Sequence, residues 1–245
     1  MKNAKFKRTQ TAFTLVEMAI VLALIGLILG TGLTLLSAQQ EQRKVEETNA
    51  LLSDAREALI GFAIARGRLP CPASSTSNGV EDPNTGGFCN HPYDGFLPSV
   101  TLGLPGVDAN GYLMDAWRLP QNRIRYAVTT DHSNAATTTD GIKSVMPTFS
   151  PDLNACASAT GITATTCGTA ATLSSNAVAV IYSLGKNAPT GGTSVNEAAN
   201  LNGDPVFVSH ALATVDETDG YFDDQVIWLS PNILFNRMVQ AGRLP

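Results

Sequence analysis

From Phe13 to Leu36 the chain offers 24 consecutive residues that carry one charge, Glu17. At a rise of 1.5 Å per residue, about 20 apolar residues cross the hydrocarbon layer of a membrane as a helix. This run is long enough to cross with some tilt. Ahead of it, Met1 to Ala12 holds Lys2, Lys5, Lys7 and Arg8 and no acid. A basic flank of that kind stays cytoplasmic, which puts the chain beyond Leu36 on the other side. A signal peptide clipped near Ala38 fits less well, because the run is long for such a segment and Leu36 is large where a small residue is expected. A plain signal anchor leaves Glu17 unexplained. A carboxylate inside an apolar run is costly unless it is paired, and so marks a functional position.

The helical pattern continues past the apolar run. Val45, Leu52, Ala55, Leu59 and Phe62 recur at steps of seven, three, four and three, which places them on one helical face. Arg43, Lys44, Glu46, Glu47, Asp54, Arg56 and Glu57 occupy much of the remainder. Gly67 and then Leu69-Pro70 end the pattern. The expectation is a helix from Phe13 to about Ala65, on the order of 80 Å long. Its first half is apolar on all sides, and its second half (37–66) is amphipathic and laid against a globular head.

The stretch Thr11-Ala12-Phe13-Thr14-Leu15-Val16-Glu17, with its basic leader and long apolar helix, resembles the signal of type IV prepilins and of the pseudopilins of type II secretion. The resemblance implies that a prepilin peptidase cuts between Ala12 and Phe13 and methylates the new N-terminus. It also implies that Glu17 pairs with the terminal amine of a neighbouring subunit. The implied segments are a leader (1–12), a transmembrane and filament-core helix (13–36), its amphipathic continuation (37–66) and a periplasmic head (67–245). The implied partners are the peptidase, other pilin or pseudopilin subunits, inner-membrane lipid and the assembly platform. Two departures stand out. Ala12 occupies a position usually held by glycine, and Thr34 stands about where many major pilins have a helix-kinking proline, with Gly26, Gly30 and Gly32 nearby. Those glycines serve either local melting or close helix packing.

Beyond Pro70, turn signals such as Asn78-Gly79, Asp82-Pro83, Gly86-Gly87 and Asn110-Gly111 describe a long irregular connection. Asp115-Ala116-Trp117, followed by Ile124 to Val128, is similar to a D-P-W stretch after the helix of pseudopilins, with Ala116 in place of proline. Strands are predicted at Ile124–Thr130, Ala177–Leu184, Pro205–Ser209 and Gln225–Leu229. Asp131–Thr172, rich in Ala, Ser and Thr, reads as an exposed insertion. Ser230-Pro231 starts a short helix whose apolar face is Ile233, Leu234, Met238 and Val239. The fold class is therefore α+β: a long N-terminal helix on an antiparallel sheet, with a short C-terminal helix. Four cysteines form two local groups, Cys71 with Cys89 and Cys156 with Cys167. In an oxidising compartment these are disulfide candidates, whose connectivity the sequence does not fix.

No nucleophile elbow, zinc-protease motif or phosphate loop is present, so no enzymatic activity is expected. Without the four leader positives the formal charge falls from −5 to −9, which argues against nucleic acid as a partner. Five carboxylates fall within Asp216–Asp224, and clustered hard oxygens suit calcium. Major pseudopilins hold calcium in a loop at a similar place, before the last strand. That makes Asp216, Asp219, Asp223 and Asp224 candidate ligands. The expected function is that of a structural subunit, a minor or specialised pilin. The alternatives are a type II secretion pseudopilin and a membrane-tethered binding module that does not polymerise.

Overall fold

The computed structural model describes residues 14–146, 148–192, 194–213 and 220–245, and for 28–37 it describes the helical backbone. Two compact units divide the chain, Met1–Arg43 and Lys44–Pro245. The first contains the N-terminal part of α1 (Leu15–Arg66). Helix formers dominate this part, and the backbone stays helical through Gly26, Gly30 and Gly32. Its apolar side chains are bare: Leu15, Leu22 and Leu27 are 88%, 66% and 68% exposed. Among the described residues no helix is long and apolar enough to cross a membrane. The run 13–36 expected to do so begins at Phe13, outside the described residues, and includes the positions described by backbone alone.

In the second unit, α1 buries Thr48, Leu52, Ala55, Leu59 and Ala63, one face at steps of four, three, four and four. The stripe expected to end at Phe62 ends at Ala63 instead. Phe62 is half-buried, and the Arg68 guanidinium sits 5.3 Å from its ring centre. Thr48 is tolerated on the buried face because its hydroxyl accepts the Ala116 N–H at 3.1 Å. Each fully buried leucine on this face contributes roughly 1.5–3 kcal/mol of transfer free energy.

After α1 follow β1 (Gly95–Phe96), α2 (Ser99–Leu102), β2 (Arg125–Val128), α3 (Asp131–Asn134), α4 (Gly141–Val145), β3 (Leu153–Cys156) and β4 (Thr172–Ala177). Then come β5 (Ala179–Ser183), α5 (Val195–Ala199), β6 (Val206–Val208), β7 (Gln225–Leu229) and α6 (Pro231–Gln240). The main sheet has the order β1-β2-β5-β7 and is antiparallel throughout. Its strand β5 is buried at every position. Ala179 and Ile181 join Leu52, Leu59, Leu234 and Met238, whereas Val180 and Tyr182 join Leu153 and Phe207 on the other face. Coverage on both faces is why this strand is a continuous apolar run rather than an alternating one. The α6 start follows its sequence signature, with Ser230 accepting from the Ile233 N–H and Pro231 in the first turn.

A second sheet, β4-β3-β6, covers the face opposite α1. Here β3 pairs antiparallel with β4 and parallel with β6. This corrects the reading of Asp131–Thr172 as an exposed insertion. Ala135, Ala136, Ile142 and all of β3 are buried. Four residues, Leu-Asn-Ala-Cys, are too short and mixed a pattern to announce a strand. Exposed residues are scattered along the segment, and they include most of the tip, Thr160 to Thr166, beside the disulfide Cys156–Cys167. The other disulfide joins Cys71 to Cys89 in the connection after α1.

Candidate functional site

Two places hold the sequence-derived candidates. At the N-terminus, Ala12 and Phe13 lie outside the described residues. Glu17 sits in the first turn of α1. Its Oε2 accepts from the Thr14 N–H at 2.9 Å and the Thr14 hydroxyl at 3.0 Å, while the Glu17 N–H donates to Thr14 Oγ1 at 3.2 Å. This reciprocal pair is a capping box, Thr14-x-x-Glu17, which satisfies orphan donors at the helix start. The same side chain therefore defines where α1 begins.

The second place lies just before β7. Asp216 and Asp219 are outside the described residues, but Asp223 and Asp224 are buried, 7% and 3% exposed. With Glu197 of α5 they bring carboxylate oxygens to within 4.8 Å of one another. Glu197 reaches this position because α5 starts with its own capping box, in which the Ser194 hydroxyl accepts from the Glu197 N–H. The Asn187 amide donates to both Glu197 oxygens at 2.9 Å. Asp223 Oδ2 accepts from the Lys186 N–H at 2.8 Å and the Tyr221 hydroxyl at 2.9 Å. Asn200 donates to Asp224 Oδ2 at 2.7 Å. Gly185 is needed for this approach: its φ is +64°, and a Cβ there would stand 2.3 Å from Asp223 Oδ1.

The donors do not satisfy the cluster. Among the described residues Asp223 Oδ1 and Asn187 Oδ1 are buried with no hydrogen-bond partner. Burial, reinforced by the charge of Glu197, pushes the Asp223 carboxyl up to about 6. Burial also holds Asp224 well above its ordinary value, with the charges of Glu197 and Asp223 acting in the same direction. Buried carboxylates with an orphaned oxygen fit a hard cation. Oxygens on opposite sides of one calcium ion lie about 4.8 Å apart, twice the usual bond length of about 2.4 Å. Sequence reasoning found the aspartates because they are neighbours in the chain. It missed Glu197 and Asn187, which come from separate turns. The signal for Glu197 was the Ser194-Val-Asn-Glu197 cap pattern, which marks a helix start but not what the helix faces.

Residues 7–33 match the family model described as the prokaryotic N-terminal methylation motif. The chain carries a prepilin-type signal. This is the signal of type IV pilins and pseudopilins, so it supports a pilin- or pseudopilin-like protein and implies processing by prepilin peptidase and assembly with other pilin subunits. Proteins bearing it are structural rather than enzymatic. Comparison with the curated proteins and with the solved structures gives no match. The mixed α/β architecture, with its N-terminal helix, antiparallel sheet and short C-terminal helix, is consistent with a pilin-like fold.

Proposed function

We propose that this prepilin-type protein is a structural subunit, a minor or specialised pilin, anchored in the bacterial inner membrane and assembled through packing of its N-terminal helix. The observation that carries the reading is the coincidence of the methylation motif with a bare apolar helix. Among the described residues Leu15, Val16, Ile20, Val21, Leu22 and Leu24 are exposed, and lipid before assembly and neighbouring helices after it would cover them. The segments follow from the same reading: leader 1–12, membrane and core helix 13–36, amphipathic continuation 37–66, and periplasmic head 67–245. Mass spectrometry of the N-terminal peptide from membranes tests it. Methylated Phe13 is the expected terminus, and an intact Met1 or a terminus near Gln39 would overturn the reading.

The acid cluster favours a second reading, a pseudopilin of a type II secretion machine. Glu197, Asp223 and Asp224 would hold calcium, with Asp216 and Asp219 as further candidates from the same loop. The ion would offset the mutual repulsion of buried carboxylates and tie α5 to the chain entering β7. Genes for an assembly ATPase and platform protein beside this one would support either machine, and the accompanying secretion or pilus components would separate the two.

A further inference from the structure

The C-terminal end of α1 forms one wall of an open cleft of about 560 Å³. Three guanidinium groups, Arg66, Arg68 and Arg243, line it against a single carboxylate, Glu81. That carboxylate is already engaged on both oxygens. Arg68 grips it with two bonds of 2.8 and 2.7 Å, and the Cys71 N–H adds a third at 3.2 Å. Arg68 and Glu81 thus neutralise each other and form a fixed, half-buried wall. The other two arginines are not matched in this way. Arg66 is exposed and has no side-chain hydrogen bond or ion pair among the described residues. Arg243 folds back over Gly67, where a Cβ would stand 2.8 Å from its Nη2 and 3.1 Å from its Nε. Its Nε is buried without a partner among the described residues, and its Nη2 makes a long ion pair of 3.7 Å with Asp140 Oδ1.

A buried donor without an acceptor costs the desolvation of that group, which a bound oxygen would remove. The tail that carries Arg243 is anchored, since Leu244 is buried and the Arg243 N–H donates to the Met238 carbonyl at 2.8 Å. Thr101 and Thr139 also line the cleft, and the Thr101 hydroxyl accepts from the Glu81 N–H at 2.9 Å. On a chain with a formal charge of −5, this local excess of positive charge departs from the acidic average. Guanidinium forks match tetrahedral oxyanions, because each fork presents paired donors to paired oxygens.

We propose that this cleft binds a phosphate group, free or carried on an ester, with Arg66 and Arg243 as the two charge partners and Arg68 as the fixed wall. Titration of the full chain in detergent with inorganic phosphate, followed by calorimetry at constant ionic strength, tests it. Saturable binding is expected, with Arg66→Gln and Arg243→Gln each weakening it about tenfold. Arg66 is exposed at a helix end, so Arg66→Gln keeps its melting temperature and serves even where Arg243→Gln folds poorly. Glycerol 3-phosphate binding as tightly as inorganic phosphate would identify an esterified source, and weaker binding would identify the free ion. Heats equal to those of acetate at the same ionic strength, or unchanged binding in Arg66→Gln, would overturn the proposal.

Discussion

Asp115 shows how one side chain organises the end of the main sheet. It is 1% exposed, accepts from the Ser183 hydroxyl at 2.6 Å, from Asn122 Nδ2 at 2.7 Å and from the Trp117 N–H at 2.9 Å. These bonds link the connection before β2 to the end of β5. Removing the acceptor strands three donors in a buried place, so Asp115→Ala should cost about 3 kcal/mol in thermal or denaturant unfolding. Burial nevertheless raises the Asp115 carboxyl above its ordinary 3.8, in spite of these donors. The folded chain then holds a proton over an interval where the unfolded chain has lost it, and stability from this group falls as pH rises from about 4 through the folded value. The stability deficit of Asp115→Asn relative to wild type should therefore be larger near pH 4 than near pH 7. A deficit that grows with pH would mean that the carboxylate is favoured in its charged form. The Asp115-Ala116-Trp117 motif was visible in the sequence, but its partner Ser183 lies 68 residues on and nothing local names it.

At the scale of elements, legibility followed local chemistry. The strand β7 spans the predicted Gln225–Leu229, and α6 starts at the predicted Ser230-Pro231 signal. Both depend on contiguous residues. By contrast, β3 and β4 escaped notice because their pairing supplies what their sequences lack: β4 is mostly exposed, and β3 is held by β6 across about 50 residues of chain. The helix α1 was legible from its apolar run and stripe, and its start carries a testable double role. Glu17 closes the Thr14 capping box, and under the filament reading it also meets the amine of a neighbouring Phe13. Glu17→Gln keeps an acceptor for the Thr14 N–H but removes the charge, so it separates the two roles. Glu17→Ala should reach the membrane and be cleaved, with incorporation among other subunits reduced by roughly an order of magnitude, since it leaves an incoming amine unpaired. Glu17→Gln should fall between alanine and wild type. Crosslinking scored against membrane levels of processed protein measures this, and wild-type incorporation of the alanine variant would remove Glu17 from assembly.

On the scale of the molecule, the two disulfides secure long connections that little regular structure supports. Each disulfide closes a short loop, for which chain-entropy arguments give about 3 kcal/mol. The acid cluster works in the opposite direction until something neutralises it, because Glu197, Asp223 and Asp224 are all buried together. Calcium binding to the folded chain alone should therefore stabilise it. At about one hundred times the dissociation constant the gain is about 2.7 kcal/mol, and for a chain of this size that corresponds to a melting shift on the order of 5 °C or more. The full chain in detergent, melted in millimolar calcium and in chelator, measures the shift. Magnesium should do less, because it demands a smaller octahedral shell and gives up its waters reluctantly. Glu197→Gln provides the decisive comparison. It removes one carboxylate from the cluster, so it should gain less from calcium than wild type does. Gly185→Ala should reduce the calcium gain as well, by pressing on Asp223 Oδ1. Variants of Asp216 and Asp219 that leave the shift unchanged would exclude those residues from the ligand set. Equal melting in calcium and chelator would overturn the calcium site, leaving α5 tied to the chain entering β7 by Asn200, which donates to Asp224, and by the Asp223 N–H, which donates to Glu197 Oε1 at 3.3 Å.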